Sequence, residues 1–155
     1  VVYLPGYSRD SGLLIKQARA LGFSFTFLGG DAWEGITAYA EDAIDGSYLT
    51  VPWHPVDDQE MSRNLKERYY RLYGSTLDSF SSPLAYDAIM VLVEAMRNAG
   101  STDVKKVRDA LASIESYQGV TGEIGFDANG DPKEKQVIII EFKDTRPTIV
   151  KILRS

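Results

Sequence analysis

Apolar and polar positions along the chain switch between strand-like runs and helical stripes. Residues 1–4, Val-Val-Tyr-Leu, form a short apolar run closed by Pro5-Gly6, the pattern of a buried strand. The next stretch sets Leu14, Gln17, Ala18 and Leu21 on one face, which predicts a helix over 9–21. Ser8 or Asp10 can cap it, and Gly22 supplies the stop. Residues 25–28, Phe-Thr-Phe-Leu, predict a second strand ended by Gly29-Gly30. Ile36, Tyr39, Ala40 and Ala43 mark a short helix over 33–43, and residues 47–51 a third strand. Strand, helix, strand, helix, strand with short connections predicts a parallel sheet with right-handed crossovers.

The alternation breaks at 52–58, Pro-Trp-His-Pro-Val-Asp-Asp, which reads as a crossing between substructures. Three helices follow. The first is capped by Asp57 or Asp58 and runs to Tyr73, with Met61, Leu65, Tyr69 and Leu72 inward. The second has Ser82 as cap and Pro83 in its first position, and it runs to Asn98. Its inward residues are Leu84, Ile89, Leu92, Val93 and Met96. Ser101 or Thr102 caps the third, over 103–115, with the stripe Val104, Val107, Leu111 and Ile114. The last forty residues are β-rich: strands over 120–126, 136–142 and 148–153, the last two antiparallel about a turn at 144–147.

Composition narrows the class. The 155 residues are 44% apolar and 25% charged, which is ordinary for a globular chain. The 17 basic and 22 acidic side chains leave a net charge of −5, which argues against a nucleic-acid partner. The chain has no cysteine, so disulfides, zinc–thiolate sites and cysteine nucleophiles are excluded. No nucleophile elbow, phosphate loop or dinucleotide fingerprint occurs. His54 is the one histidine and lacks the partners that a metal site would need, so no metal and no cofactor are implied.

Ligands of open parallel sheets bind outside the carboxyl ends of the strands. The three predicted strand ends bring Tyr7, Asp31, Trp33, Trp53 and His54 to one rim. The Gly29-Gly30 pair should let the backbone turn tightly and present Asp31. A carboxylate flanked by aromatic rings suits a ligand ammonium, through a charge-assisted hydrogen bond and cation–π attraction. The plain alternative is that Asp31 caps the next helix and both indoles pack in the core. Asp87, near the start of its helix, reads as a first-turn dipole partner rather than a catalytic acid.

Several stretches together resemble one family. They are Pro5-Gly6-Tyr7, Leu14-Ile15-Lys16-Gln17-Ala18-Arg19, Phe27-Leu28-Gly29-Gly30-Asp31-Ala32-Trp33, Leu84-Ala85-Tyr86-Asp87-Ala88, and residues 119–132. In this order they resemble the type I periplasmic binding proteins, and within them the branched-chain amino-acid receptors of ABC transporters. The resemblance implies an α/β fold of two Rossmann-like lobes, each a parallel sheet with helices, and a C-terminal antiparallel strand pair. It assigns residues 1–53 to part of the second lobe, 54–132 to the returning part of the first, and 133–155 to closing strands of the second. It implies ligand contacts at Tyr7, Asp31, Trp33 and Ser81, with Asp31 holding the ligand's α-ammonium.

The family's receptors are about twice this length, so the resemblance covers a C-terminal half. The abrupt start at Val1 reads as a chain that begins inside a larger protein's sheet. The expected function is non-catalytic binding of an amino acid, branched-chain or related, for an ABC permease, in the periplasm or outside the cell, lipid-anchored in a Gram-positive host. The isolated chain is expected to bind free amino acid weakly or not at all. Its helices should leave apolar faces wet unless the N-terminal half, or a segment-exchanged dimer, covers them. A ligand-sensing domain of a receptor or regulator shares the fold and is the alternative. The residues argue against a small flavodoxin-like hydrolase using Asp31 and His54, because no nucleophile is paired with a base.

Overall fold

The computed structural model describes residues 1–56, 58–133 and 135–153. In chain order the elements begin with β1 (Val2–Leu4), α1 (Ser8–Ala20), β2 (Phe27–Gly29), α2 (Thr37–Ala40) and β3 (Tyr48–Val51). Next come α3 (Glu60–Tyr73), α4 (Ser81–Ala99), α5 (Val104–Ala112), β4 (Tyr117–Gly119), β5 (Gly122–Phe126) and β6 (Pro132–Lys133). The chain closes with β7 (Val137–Lys143) and β8 (Arg146–Leu153). Two compact units result: unit 1 holds Val1–Pro52 and Val137–Leu153, and unit 2 holds Trp53–Gln136.

Unit 1 is a five-stranded sheet of order β1-β2-β3-β7-β8. The first three strands are parallel, and β7 and β8 join antiparallel. This is the α/β architecture with a C-terminal antiparallel pair that the apolar pattern predicts. Successive right-handed crossovers in one direction put their helices on one face, and burial alternates accordingly. Phe27, Gly29, Leu49, Val51, Ile138, Ile140 and Phe142 are covered. On the other face lie Tyr3, Leu28, Tyr48, Thr50 and Ile139, neighbours across the strands. Tyr3 is 64% exposed there. Parallel strands are normally covered on both faces; unit 1 covers one.

The inward face of α1 differs from the expected one. Ser11, Gly12, Ile15 and Ala18 are buried, whereas Leu14 and Leu21 are exposed. Close approach decides this: a Cβ on Gly12 would lie 2.8 Å from Cβ of Tyr39, so small residues, not leucines, face α2. The expected helix over 33–43 is broken into a 3-10 turn at Asp31–Trp33, the single turn of α2, and a second 3-10 turn at Glu41–Ile44. The β7–β8 turn is tight, with Asp144 and Thr145 both at positive φ, and Thr145 N–H donates to Oδ1 of Asp45 at 2.9 Å.

Unit 2 packs α4 and α5 against a three-stranded antiparallel sheet of order β4-β5-β6. Its core is Val91, Ala95, Val107, Ile114 and Ile124. The left-handed residues Gly74 and Gly100 end α3 and α4 where expected. Asp103, not Ser101 or Thr102, caps α5, accepting from Lys106 N–H at 3.1 Å. The expected caps Asp57 and Asp58 do not test alike: Asp57 lies outside the described residues, and the residue preceding α3 is Gln59. Several apolar side chains expected inside stay at the surface, among them Leu72 (73% exposed), Ile89 (61%) and Val104 (83%). The reason is architectural: the strands of unit 2 are too few and short to cover three amphipathic helices.

Candidate ligand-binding site

Strands β1 and β2 run parallel with Leu4 opposite Gly29, so the chain leaves both at the same end of the sheet. Tyr7 follows β1 and is exposed, and its carbonyl accepts from Ser11 N–H at 3.0 Å to start α1. Asp31 follows β2, is exposed, and opens the 3-10 turn. Its side chain is not the cap of that turn; Gly30 occupies the cap position. Among the described residues the Asp31 carboxylate has neither a hydrogen bond nor an ion pair. The capping alternative is thus not realised. Unit 1 presents an unpaired anion and a phenol ring at one end of adjacent parallel strands, an arrangement able to accept a cationic ammonium.

The indoles are placed otherwise than the rim reading expects. Trp33 is 1% exposed, with its ring against the Gly29 backbone. Trp53 is likewise 1% exposed and belongs to unit 2, where its Nε1–H donates to Oγ of Ser62 at 3.1 Å. These are the largest fully buried side chains among the described residues, and burying a Trp withdraws roughly 150–250 Å² from water. Their apolar area outweighs any exposure at a rim. The glycine pair also works differently. A Cβ on Gly29 would meet the Trp33 ring at 2.1 Å, so Gly29 makes room for the indole. Gly30 has an ordinary extended backbone and open space around it.

His54 is half-buried in unit 2, and its Nδ1 accepts from Val56 N–H at 3.2 Å. Burial, and then the nearby Lys66 ammonium, hold its pKa below the usual histidine value. Ser81 also belongs to unit 2; it is the exposed first residue of α4, and its N–H donates to Oγ of Ser79 at 3.1 Å. Among the described residues no group of three or more His, Cys, Asp or Glu could hold a metal ion.

One polar cluster has a role that the sequence reading missed. Asp87 is not a first-turn residue; it lies in the second turn of α4 and is 3% exposed. Oδ1 accepts from Val120 N–H at 2.8 Å, and Oδ2 accepts from Thr121 N–H at 2.8 Å and from the Thr121 hydroxyl at 2.7 Å. Lys135 Nζ donates to Oγ1 of Thr121 at 2.7 Å. Burial pushes the Lys135 pKa down, and the Asp87 charge opposes that shift. The signal was present: Pro83, Asp87, Val91 and Ala95 are spaced four apart, so the acid occupies an inward position.

The sequence profile of the periplasmic binding proteins matches residues 1–146, and the chain belongs to that family. It is 33% identical over 153 residues to the leucine-, isoleucine-, valine-, threonine- and alanine-binding protein of Pseudomonas aeruginosa, covering 97% of this chain and 40% of that protein. It is 30% identical over 138 residues to Leu/Ile/Val-binding protein homolog 1 of Brucella abortus, covering 86% of this chain and 36% of the relative. The crystal structure of the leucine-binding protein LivK of Thermotoga maritima superposes with a TM-score of 0.87 at 29% identity, over 97% of this chain and 43% of that one. The fold is that of the type I periplasmic binding proteins, and the chain spans about two-fifths of the length of the relatives it matches.

Proposed function

We propose that this chain is the C-terminal portion of a receptor that binds an amino acid, branched-chain or related, without catalysis, and delivers it to an ABC permease. The observation that carries the reading is the unpaired, exposed Asp31 carboxylate that follows β2 at the same end of the sheet where the exposed Tyr7 follows β1. Asp31 would hold the ligand's ammonium, and the Tyr7 ring would lie against it. Trp33, buried against Gly29, would support the turn that carries Asp31, and Ser81 at the start of α4 is the remaining proposed ligand contact. The names of the relatives, which bind leucine, isoleucine and valine, support this ligand class. The setting would be periplasmic or extracellular, with a lipid anchor in a Gram-positive host. Residues 1–53 and 133–155 would form part of the second lobe and residues 54–132 part of the first.

The bare sheet face supports a further partner. A helix covering Tyr3 and Leu28 would belong to a crossover running away from β3, past the free edge of β1. The receptor's N-terminal portion is the natural source, and a segment-exchanged dimer is the other way to cover that face. The test is calorimetry on the full-length receptor with leucine, isoleucine and valine. Replacing Asp31 by Ala should weaken binding by the 1.5–3 kcal/mol or so of a charged hydrogen bond, with unfolding unchanged. Undiminished affinity would refute the assignment.

A further inference from the structure

One dipeptide of the chain carries chemistry that ligand binding does not use. Of the three asparagines, Asn64, Asn98 and Asn129, only Asn129 precedes a glycine. Asn64 and Asn98 lie inside α3 and α4, ahead of Leu65 and Ala99. An asparagine side chain can react with the backbone nitrogen that follows it. That nitrogen gives up its proton and attacks Cγ; a C–N bond forms, the side-chain nitrogen leaves as ammonia, and a cyclic imide remains. Water then opens the imide at either carbonyl, giving aspartate or isoaspartate. The balance is one water consumed and one ammonia released, with no oxidant or reductant. Glycine hinders the attack least, because it has no Cβ and reaches the required backbone angles freely.

The turn of residues 127–131 joins β5 to β6 within unit 2 and exposes Asn129 to water. It nevertheless holds both reacting groups. Gly130 sits at φ +86°, and its N–H donates to the Asp127 carbonyl at 3.0 Å, so the attacking nitrogen keeps its proton. The N–H of Asn129 donates to Oδ1 of Asp127 at 2.8 Å, and its Nδ2 lies 3.5 Å from Oδ2, which turns the side-chain amide toward Asp127. The same Oδ1 accepts from Asp131 N–H at 2.9 Å, and Asp127 N–H donates to the Asp131 carbonyl at 2.9 Å, closing the turn. The N–H groups of Asp131 and Asn129 hold the Asp127 carboxyl below the usual carboxylate range, so it stays ionised under the alkaline conditions that promote the attack.

We propose that Asn129 is a latent deamidation site and that Asp127 guards it in the folded turn. Opening of the turn frees the Gly130 nitrogen and the Asn129 amide together, and the product does not revert. Isoaspartate inserts an extra carbon into the main chain, which upsets the pairing of Gly125 with Lys133 and of Phe126 with Pro132 across the turn. Unfolding is then recorded as permanent chemical change.

The test follows conversion of amide to acid by mass spectrometry of the peptide that holds residue 129. The intact chain is incubated at mildly alkaline pH, native and in guanidinium chloride. Each hydrogen bond that must break slows the reaction by up to about tenfold, so native conversion should be slower than denatured conversion by about tenfold or more. Asp127→Ala should recover most of that difference while helical circular dichroism stays as in the wild type. Asp127→Asn keeps an acceptor for the backbone N–H groups and should convert as slowly as the wild type, which supplies the check if the alanine variant fails to fold. Equal rates in the native and denatured chain overturn the proposal. So does a folded Asp127→Ala variant as slow as the wild type, a folded Asp127→Asn variant as fast as the denatured chain, or denatured conversion at Asn64 or Asn98 that outruns Asn129. No amino acid is added, so the result stands apart from ligand binding by the receptor.

Discussion

Replacing Asp87 by Ala should be among the costliest single changes in unit 2. The carboxylate is 3% exposed and accepts three hydrogen bonds, two of them from the backbone N–H groups of Val120 and Thr121. The substitution takes away the acceptor of both N–H groups, and each orphaned buried donor costs about 1–3 kcal/mol. The Thr121 hydroxyl can rotate, so its loss adds little. Lys135 loses a counter-charge, but it is half-exposed, and solvent screening holds that loss below about 1 kcal/mol. The sum is about 3–5 kcal/mol, against the roughly 4–12 kcal/mol expected of a unit this size. Gly119 supplies the internal check. A Cβ there would lie 2.6 Å from Oδ2 of Asp87, so Gly119→Ala should cost about 1–3 kcal/mol by overpacking. In the Asp87→Ala background the obstructing carboxylate is gone, and the same change should be nearly neutral. Urea unfolding followed by helical circular dichroism on the four species gives the cycle. A cost below about 1 kcal/mol for Asp87→Ala, or strictly additive costs, would refute the clamp.

Gly29→Ala should destabilise unit 1 by at least the ~1–3 kcal/mol of an overpacked core, because its Cβ would enter the Trp33 ring, whereas Gly30→Ala should stay within about 0.5 kcal/mol; thermal melts of the pair decide. His54 predicts a pH dependence. Unfolded, it takes a proton near its ordinary value of 6.5; folded, it does so only at lower pH, because burial and Lys66 disfavour the charged ring. The unfolded state therefore binds more protons in that window, and stability should fall as pH drops from above 6.5 through the folded value. His54→Gln should flatten that slope in melts taken at a series of pH values. Leu28→Lys, on the bare sheet face, should change the stability of this chain by less than about 0.5 kcal/mol and reduce its binding of a hydrophobic dye. In the full-length receptor the same change should cost about 1.5–3 kcal/mol, the burial of one leucine; equal effects in the two settings would mean that the face is bare in both.

The order of the first three strands and their helices in unit 1 was legible because each of those strands is a short apolar run closed by Gly or Pro. Those punctuators act through local backbone geometry and need no tertiary context. The positions of Tyr7 and Asp31 at strand ends follow from the same marks. Helix faces were read less well, and α1 shows why. Its leucines outrank its small residues on any hydrophobic scale, yet Gly12 and Ser11 face inward because α2 approaches too closely for a larger side chain. Periodicity registers apolar area, and contact distance is invisible to it.

Unit 2 failed for another reason. Its stripes at Leu72, Ile89 and Val104 are genuine helical stripes, but this chain brings no surface to meet them. Where a stripe does meet a partner, its most informative residue is the polar one. In the series Pro83, Asp87, Val91, Ala95, only Asp87 needs hydrogen-bond donors, and the missing Cβ of Gly119 leaves space for it. Trp33 over Gly29 repeats the arrangement in unit 1, with a bulky buried side chain admitted by the glycine that ends the strand just before it. Both pairs join residues far from obvious in a reading of faces alone. An inward-facing acid or indole therefore calls for a search of the remaining chain for the glycine that admits it, which would have found the Asp87 clamp and moved Trp33 off the rim.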